Sequence, residues 1–194
     1  MERLTKDELW TLERYSELRP KFRAKIIAHK LNRRVRLGAN ATLYFEDQLT
    51  IRYQVQEMLR IEKIFDADGI NDELNAYNPL IPDGSNWKAT FMLEYPDVEQ
   101  RRQALAQLVE VERCVWVQTA NQPRVWAIAD EDLERSTDEK TSAVHFLRFE
   151  LPLQFVSKVK SGADIGMGIE HVNFSHAIEA IAPNVRDSLR NDLD

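Results

Sequence analysis

The sequence predicts an α+β protein, an antiparallel sheet backed by helices with a helical N-terminal segment. Three observations support this. Apolar residues up to about residue 65 recur at helical spacing, whereas beyond Lys88 the period changes to two. Helices and strands cluster without strict β-α alternation, which disfavours a parallel sheet. At 194 residues, 43% hydrophobic and 30% charged, the chain can bury roughly two-thirds of its unfolded surface without a disulfide or structural metal. One domain spanning 1–194 is expected, mainly helical over 1–65 and sheet-forming over 88–174.

Each element has a local reason. Thr5-Lys6-Asp7-Glu8 is a capping-box pattern that starts a helix from Lys6 to about Glu17. Arg19-Pro20 is expected to break it, and Pro20 suits the first turn of a second helix to about Arg33. Arg34 to Glu46 turns to β character, with Gly38 and Asn40 at a bend. Asp47 caps a third helix to about Phe65. Asp66-Ala67-Asp68-Gly69 resembles a calcium loop only briefly, because aligning Gly69 leaves Ile64 and Asn75 where carboxylates are required. A short helix near Asn71–Tyr77 and a proline-rich loop from Asn78 to Trp87 follow.

Lys88–Tyr95 reads as a strand and Pro96–Val111 as a helix. Cys114–Thr119 and Arg124–Ala129 read as a hairpin, and Asp130–Thr141 as a charged loop or frayed helix. Ser142–Leu151 is the clearest strand. Pro152–Lys160 is helical, Gly166–Phe174 a last strand, Ser175 a helix cap, and Pro183 opens a final helix.

Phe45-Glu46, the run Gln54-Val55-Gln56-Glu57-Met58-Leu59-Arg60 and the run from Glu73-Leu74-Asn75 through Pro82 carry a resemblance. Val144-His145-Phe146-Leu147-Arg148-Phe149 and Glu170-His171 extend it over nearly the whole chain. They resemble an uncharacterised bacterial family, a domain of unknown function with no established activity or ligand. The resemblance implies a redox or metal-related setting, since members are often encoded beside rubrerythrin-like and iron–sulfur oxidoreductase genes.

Composition narrows the classes of function. No stretch approaches the ~20 apolar residues of a membrane span, and the opening Met1-Glu2-Arg3 is too charged for a signal peptide. A cytoplasmic protein without membrane contact is expected. One cysteine, Cys114, excludes an internal disulfide and an iron–sulfur cluster held by this chain alone; on its apolar strand it reads as a buried, inert thiol. Gly162–Gly168 lacks the glycine order of a dinucleotide loop, and no serine lies in a nucleophile elbow.

Two groups of residues could carry function. The first is a set of polar side chains on apolar faces. Ile51, Val55, Met58 and Phe65 form one helical stripe with Glu62 in its middle, and Glu57 lies at its edge, while Arg52, Gln56, Arg60 and Lys63 form the polar wedge. A buried carboxylate requires a cation, a metal or a proton. His145 shares a strand face with Leu147, Phe149 and Leu151, and Arg148 lies on the opposite face as a partner for a buried glutamate. Glu94 is placed to meet His171 or His176 across the sheet. Imidazole with carboxylates suits iron, zinc or manganese, although no HExxH or helical ExxH is present. The structural alternatives are an ion pair for Glu62 and a singly hydrogen-bonded neutral ring for His145.

The second group is basic. Arg19, Lys21, Arg23, Lys25, Lys30, Arg33, Arg34 and Arg36 fall in a window without an acid, which leaves −14 on the rest of a chain whose net charge is −6. Phe22, Ile26, His29 and Arg33 share one stripe and Ala24, Ile27, Ala28 and Leu31 another, so both sides are expected to pack. The positive charge can face the chain's own acids, an acidic protein or redox partner, or, less well without aromatic–basic interleaving, nucleic acid. The leading expectation is an accessory protein that binds a partner or ligand, with a metal-dependent enzyme and a nucleic-acid-binding protein as alternatives.

Overall fold

The computed structural model describes residues 3–137 and 139–194, so Met1, Glu2 and the Asp138 position of the charged loop lie outside it. The architecture is α+β, with six α-helices and two antiparallel sheets among the described residues. The first sheet has the order β1-β2-β3-β7-β6, from β1 (Arg34–Leu37), β2 (Ala41–Phe45), β3 (Asn86–Leu93), β7 (Val144–Glu150) and β6 (Ile128–Ala129). The second has the order β5-β4-β8-β9, from β5 (Val125–Trp126), β4 (Val115–Thr119), β8 (Ile165–His171) and β9 (Phe174–Ile178).

Alternation along the strands builds one shared core. Leu43, Phe45, Trp87, Phe91, Leu147 and Phe149 from the first sheet join Val115, Val117, Ile165 and Met167 from the second. Phe155 and Val159 of α5 (Leu153–Lys160) and Val185 and Leu189 of α6 (Pro183–Arg190) complete it. The Trp87 indole donates to the Leu189 carbonyl at 3.0 Å, which satisfies its one polar atom inside the core.

The N-terminal helices build two smaller clusters. Tyr15, Phe22 and Ile26 of α1 (Leu12–Leu31) form one. Ile51, Val55 and Leu59 of α2 (Gln48–Glu62) and Leu74 of α3 (Ala67–Tyr77) anchor the other. Arg33, 2% exposed, ties this region to the C-terminal helix. Its guanidinium donates to the Phe45 and Glu46 carbonyls and to Asp192 at 2.5 Å, and lies 3.4 Å from Asp47.

Several boundaries differ from expectation. The capping box at Thr5 and Glu8 forms, but it opens only a 3-10 turn, Lys6–Glu8. Thr11 then caps a single helix, α1, that runs through Pro20. The missing proline N–H costs one helical bond; flanking contacts offset it, with Tyr15, Phe22 and Ile26 packed and Arg19 bound to Glu57 through two nitrogens. Asp66 caps α3 rather than only ending α2. The helix expected over Pro96–Val111 is α4 (Val98–Gln107) followed by a 3-10 turn at Val111–Cys114. The segment expected as one hairpin arm divides, with β5 pairing in the second sheet and β6 in the first. Ser175 lies inside β9 rather than capping a helix. Asp47 caps α2 and Pro183 opens α6 as expected.

Candidate functional site

His145 brings together a group of buried titratable side chains beside a cleft. It is the second residue of β7, directly across from Phe91 of β3, fully buried and facing the core side of the first sheet as its alternation predicts. Its Nδ1 lies 2.5 Å from Asp130 Oδ2. Its Nε2 lies 2.8 Å from Thr141 Oγ1, 3.1 Å from the Ser142 carbonyl and 3.7 Å from Glu112 Oε2. A carbonyl and a carboxylate can only accept. The ring therefore gives an Nδ1 hydrogen to Asp130, and its Nε2 lies among the Thr141 hydroxyl, the Ser142 carbonyl and Glu112.

Each acid is itself held in place. Glu112, on the Val111–Cys114 turn, accepts from Ser136 Oγ at 2.8 Å and from Thr141 Oγ1 at 3.1 Å. Asp130 follows β6 with φ 51°, a left-handed conformation that aspartate tolerates better than most residues. Its Oδ1 accepts from the Phe146 N–H at 3.1 Å and from Arg135 at 3.2 Å. Arg135 also pairs with Asp132 and lies 4.6 Å over the Phe146 ring. A cleft of ≈ 480 Å³ opens beside the cluster, lined by Glu110, Glu112, Arg113, Asp130, Arg135 and Ser136 among others. Glu112, Asp130 and His145 offer ligand atoms within 4.8 Å of one another. With the ring proton displaced, one imidazole nitrogen and two carboxylates would suit a borderline divalent cation.

The other expected site residues lie elsewhere. Glu62 is exposed, because α2 ends at it and Lys63 turns the chain left-handed, so the residue has the right phase beyond the end of the packed face. Phe65 is 79% exposed for the same reason. Gln56, expected in the polar wedge, is fully buried, since its amide accepts from and donates to the Trp10 backbone. Glu57 does pair: Arg19 donates to both its oxygens at 2.7 and 2.9 Å, with Tyr15 and Arg60 also bound. The Arg19 guanidinium holds its carboxyl well down, at about 2, and the burial and Glu57 together push the Tyr15 hydroxyl up.

Arg148 does not meet Glu62. It pairs with Glu131 and Glu150 on the outer sheet face, and the Glu131 hydrogen bonds raise its pKa further. Glu94 accepts from Thr42 at 2.5 Å and makes no hydrogen bond to either histidine among the described residues. His171 lies 3.0 Å from the Val109 carbonyl and accepts from the Asn173 N–H, which ties β8 to the turn after α4. Cys114 is half-buried, not buried; desolvation and Glu112, Glu110 and Glu170 raise its thiol, in keeping with low reactivity.

Sequence reading missed Glu112 and Asp130. Asp130 directly ends an alternating run, which was the available signal for an acid at a strand end. For Glu112 there was none, because it falls in an irregular turn.

The basic window divides in two. Arg19 and Arg33 turn inward to Glu57 and Asp192. Lys21, Arg23, Lys25, Arg34 and Arg36 make no ion pair among the described residues. Ile27 and Leu31 are each 56% exposed, so the second stripe of α1 is not packed.

Comparison with known proteins follows these features. A family model described as "Protein of unknown function (DUF3501)" matches residues 3–193. The chain belongs to that family. A crystal structure of a novel protein of unknown function from Burkholderia pseudomallei K96243 is 53% identical, with 100% of each chain covered and a TM-score of 0.94. No curated protein matches. No helix among the described residues is long and apolar enough to cross a membrane.

Proposed function

We propose that this family member is a cytoplasmic accessory protein that docks an acidic protein partner on the outer face of α1. One observation carries the reading. Pro20, Ala24, Ile27, Ala28 and Leu31 form an exposed stripe, with Lys21 and Lys25 along one side and Arg23 along the other, and none of these cations is paired within the described chain. Exposed apolar side chains at i and i+4 inside a cationic rim match an amphipathic surface edged with carboxylates. The setting implied by the family resemblance makes redox proteins the first partners to test.

The test uses a designed acidic helical peptide with leucines at i and i+4, a scrambled control and a DNA duplex, followed by fluorescence polarisation. The peptide should bind, and both the Lys21→Glu/Arg23→Glu/Lys25→Glu and the Ile27→Ser/Leu31→Ser variants should weaken it at least tenfold. Equal binding of all variants sinks the reading. Tight duplex binding with a steep salt slope would move it to nucleic acid.

A second reading, a metal-dependent enzyme, is favoured by the grouping of Glu112, Asp130 and His145 beside a cleft. Elemental analysis of untagged protein purified anaerobically without chelator tests it. Near-stoichiometric iron, zinc or manganese, lost in folded Glu112→Gln and Asp130→Asn variants, is the result it requires.

A further inference from the structure

On the opposite face of the first sheet from the shared core, the helices leave a gap unfilled. The floor is set by the strand register, in which Tyr44, Thr90 and Phe146 are cross-strand neighbours in one row, and Thr42, Met92 and Val144 in the next. Thr90 is the small member between two aromatic rings, which makes a notch. Ile51 and Gln54 of α2, Tyr77 at the end of α3, Leu80 and Lys30 of α1 form the walls of a groove of ≈ 340 Å³. That lies at the small end of the ~300–1,000 Å³ typical of sites for small molecules.

Two opposite charges line this groove without meeting. The half-buried Glu46 carboxylate accepts from Thr90 Oγ1 at 2.7 Å and from Thr50 Oγ1 at 2.6 Å, one hydroxyl on each oxygen. Those two hydroxyls fix its orientation, yet no cation pairs with it among the described residues. Lys30 is also half-buried, and its side-chain ammonium makes no hydrogen bond or ion pair among the described residues, with Glu46 or with any other group. The remainder of the lining is mainly apolar or aromatic: Ile51, Leu80, Met92, Val144, Phe146 and the tyrosine rings.

Two opposite charges that do not pair with each other, over an apolar floor, are complementary to a ligand that carries both charges and an apolar body. A carboxylate fixed by neutral donors retains its full charge for an incoming ammonium, and neighbouring aromatic faces favour the same cation. A lysine with no internal partner can receive a carboxylate. Either ion alone would leave the other protein charge uncompensated in a partly desolvated groove.

We propose that this groove binds a small apolar zwitterion, an α-amino acid with a large aliphatic or aromatic side chain, with its ammonium on Glu46 and its carboxylate on Lys30. The apolar side chain lies over Met92, Val144 and Phe146. The site is separate from the outer face of α1 and from the His145 cluster, so it stands whether or not either of those readings holds.

The test is isothermal titration calorimetry on the full chain with three sets of probes. L-Leucine and L-phenylalanine carry both charges; 3-methylbutylamine and 2-phenylethylamine lack the carboxylate; 4-methylpentanoate and 3-phenylpropanoate lack the ammonium. At least one zwitterion should bind, at least about tenfold more tightly than its two truncated analogues, since a hydrogen bond to a charged group contributes on that scale. Lys30→Met should abolish the advantage over the amine, and Glu46→Gln the advantage over the acid. Glu46→Gln can disturb Thr50 at the start of α2, so Val144→Phe, which fills the floor and leaves both charges, serves as the second variant and should abolish binding with the fold intact by circular dichroism. Equal affinity for zwitterion and amine, binding that survives Val144→Phe, or no heat with any zwitterion at millimolar concentration would each overturn the proposal.

Discussion

The two sides of α1 place the same residue types in opposite circumstances. On the inner side Arg19, and Arg33 just beyond the helix, are paired: Arg19 grips Glu57 through two nitrogens, and Arg33 reaches Asp192, Asp47 and two backbone carbonyls. On the outer side Lys21, Arg23 and Lys25 have no ion-pair partner among the described residues. A buried charge must be neutralised or the fold fails, whereas an exposed one is solvated by water and remains available for another molecule. The basic window therefore holds paired and unpaired cations side by side, a division that the chain's charge pattern alone does not mark.

Removing a buried member should have the largest effect. Arg33→Ala leaves Asp192 buried without its cation, while Asp47 keeps His29 at 2.6 Å, and should destabilise the fold by ~3–5 kcal/mol, read as a lower urea midpoint. Next, acid should attack the other inner pair. Glu57 has its carboxyl at about 2 in the fold against 4.5 when free. Its contribution is thus complete above about pH 4.5 and is lost as pH falls towards 2. After a discount for the partial exposure of Arg19, that is ~1–2 kcal/mol, and Glu57→Gln should flatten the acid limb of a stability–pH curve.

Asp192 should behave with the opposite sign. Burial, with Asp47 nearby, outweighs Arg33 and pushes its carboxyl up to about 6 from 3.8. The fold then binds this proton more tightly than the unfolded chain does, so the stabilisation is complete below about pH 3.8 and is lost as pH rises through about 6. Asp192→Asn should remove that slope and cost less than Arg33→Ala, because Asp47, whose own carboxyl is held low, still faces the guanidinium. The smallest effect should come from the outer side. Lys21→Glu/Arg23→Glu/Lys25→Glu should change stability by only ~0.5 kcal/mol; a larger loss would show that these side chains serve the fold, and the contrast between the two sides would fail.

The same distinction explains how much the sequence revealed. The α+β class, the Asp47 cap, the Pro183 start and the inward face of His145 were legible because each depends on spacing within a few residues. The two-sheet arrangement was not, since β5 and β6 are only two residues each and separate at Ala127, which no periodicity marks. β9 was read as helix because its Ser175, His176 and Ala177 are all exposed, and strand pairing to β8 supplies the order that alternation does not. Glycine marks that pairing after the fact: a Cβ on Gly168 would stand 2.4 Å from Trp116 and 2.7 Å from the His176 carbonyl. The candidate sites were less legible still. His145 was found by its face, but Asp130 reaches it from 15 positions earlier and Glu112 from a turn with no pattern. Glu62 failed because helical phase locates a side chain around an axis and says nothing of where along that axis the neighbours stop.

The Arg33–Asp192 contact spans 159 positions, and the Trp87 indole waits 102 positions for the Leu189 carbonyl. A ribosome makes the two early groups long before their partners emerge. For most of translation the guanidinium has the Phe45 and Glu46 carbonyls and Asp47 but not Asp192, and the indole N–H lacks its acceptor, so neither interior group is fully satisfied from the front of the chain alone. Completion of the core therefore waits for α6, whose Val185 and Leu189 also close it.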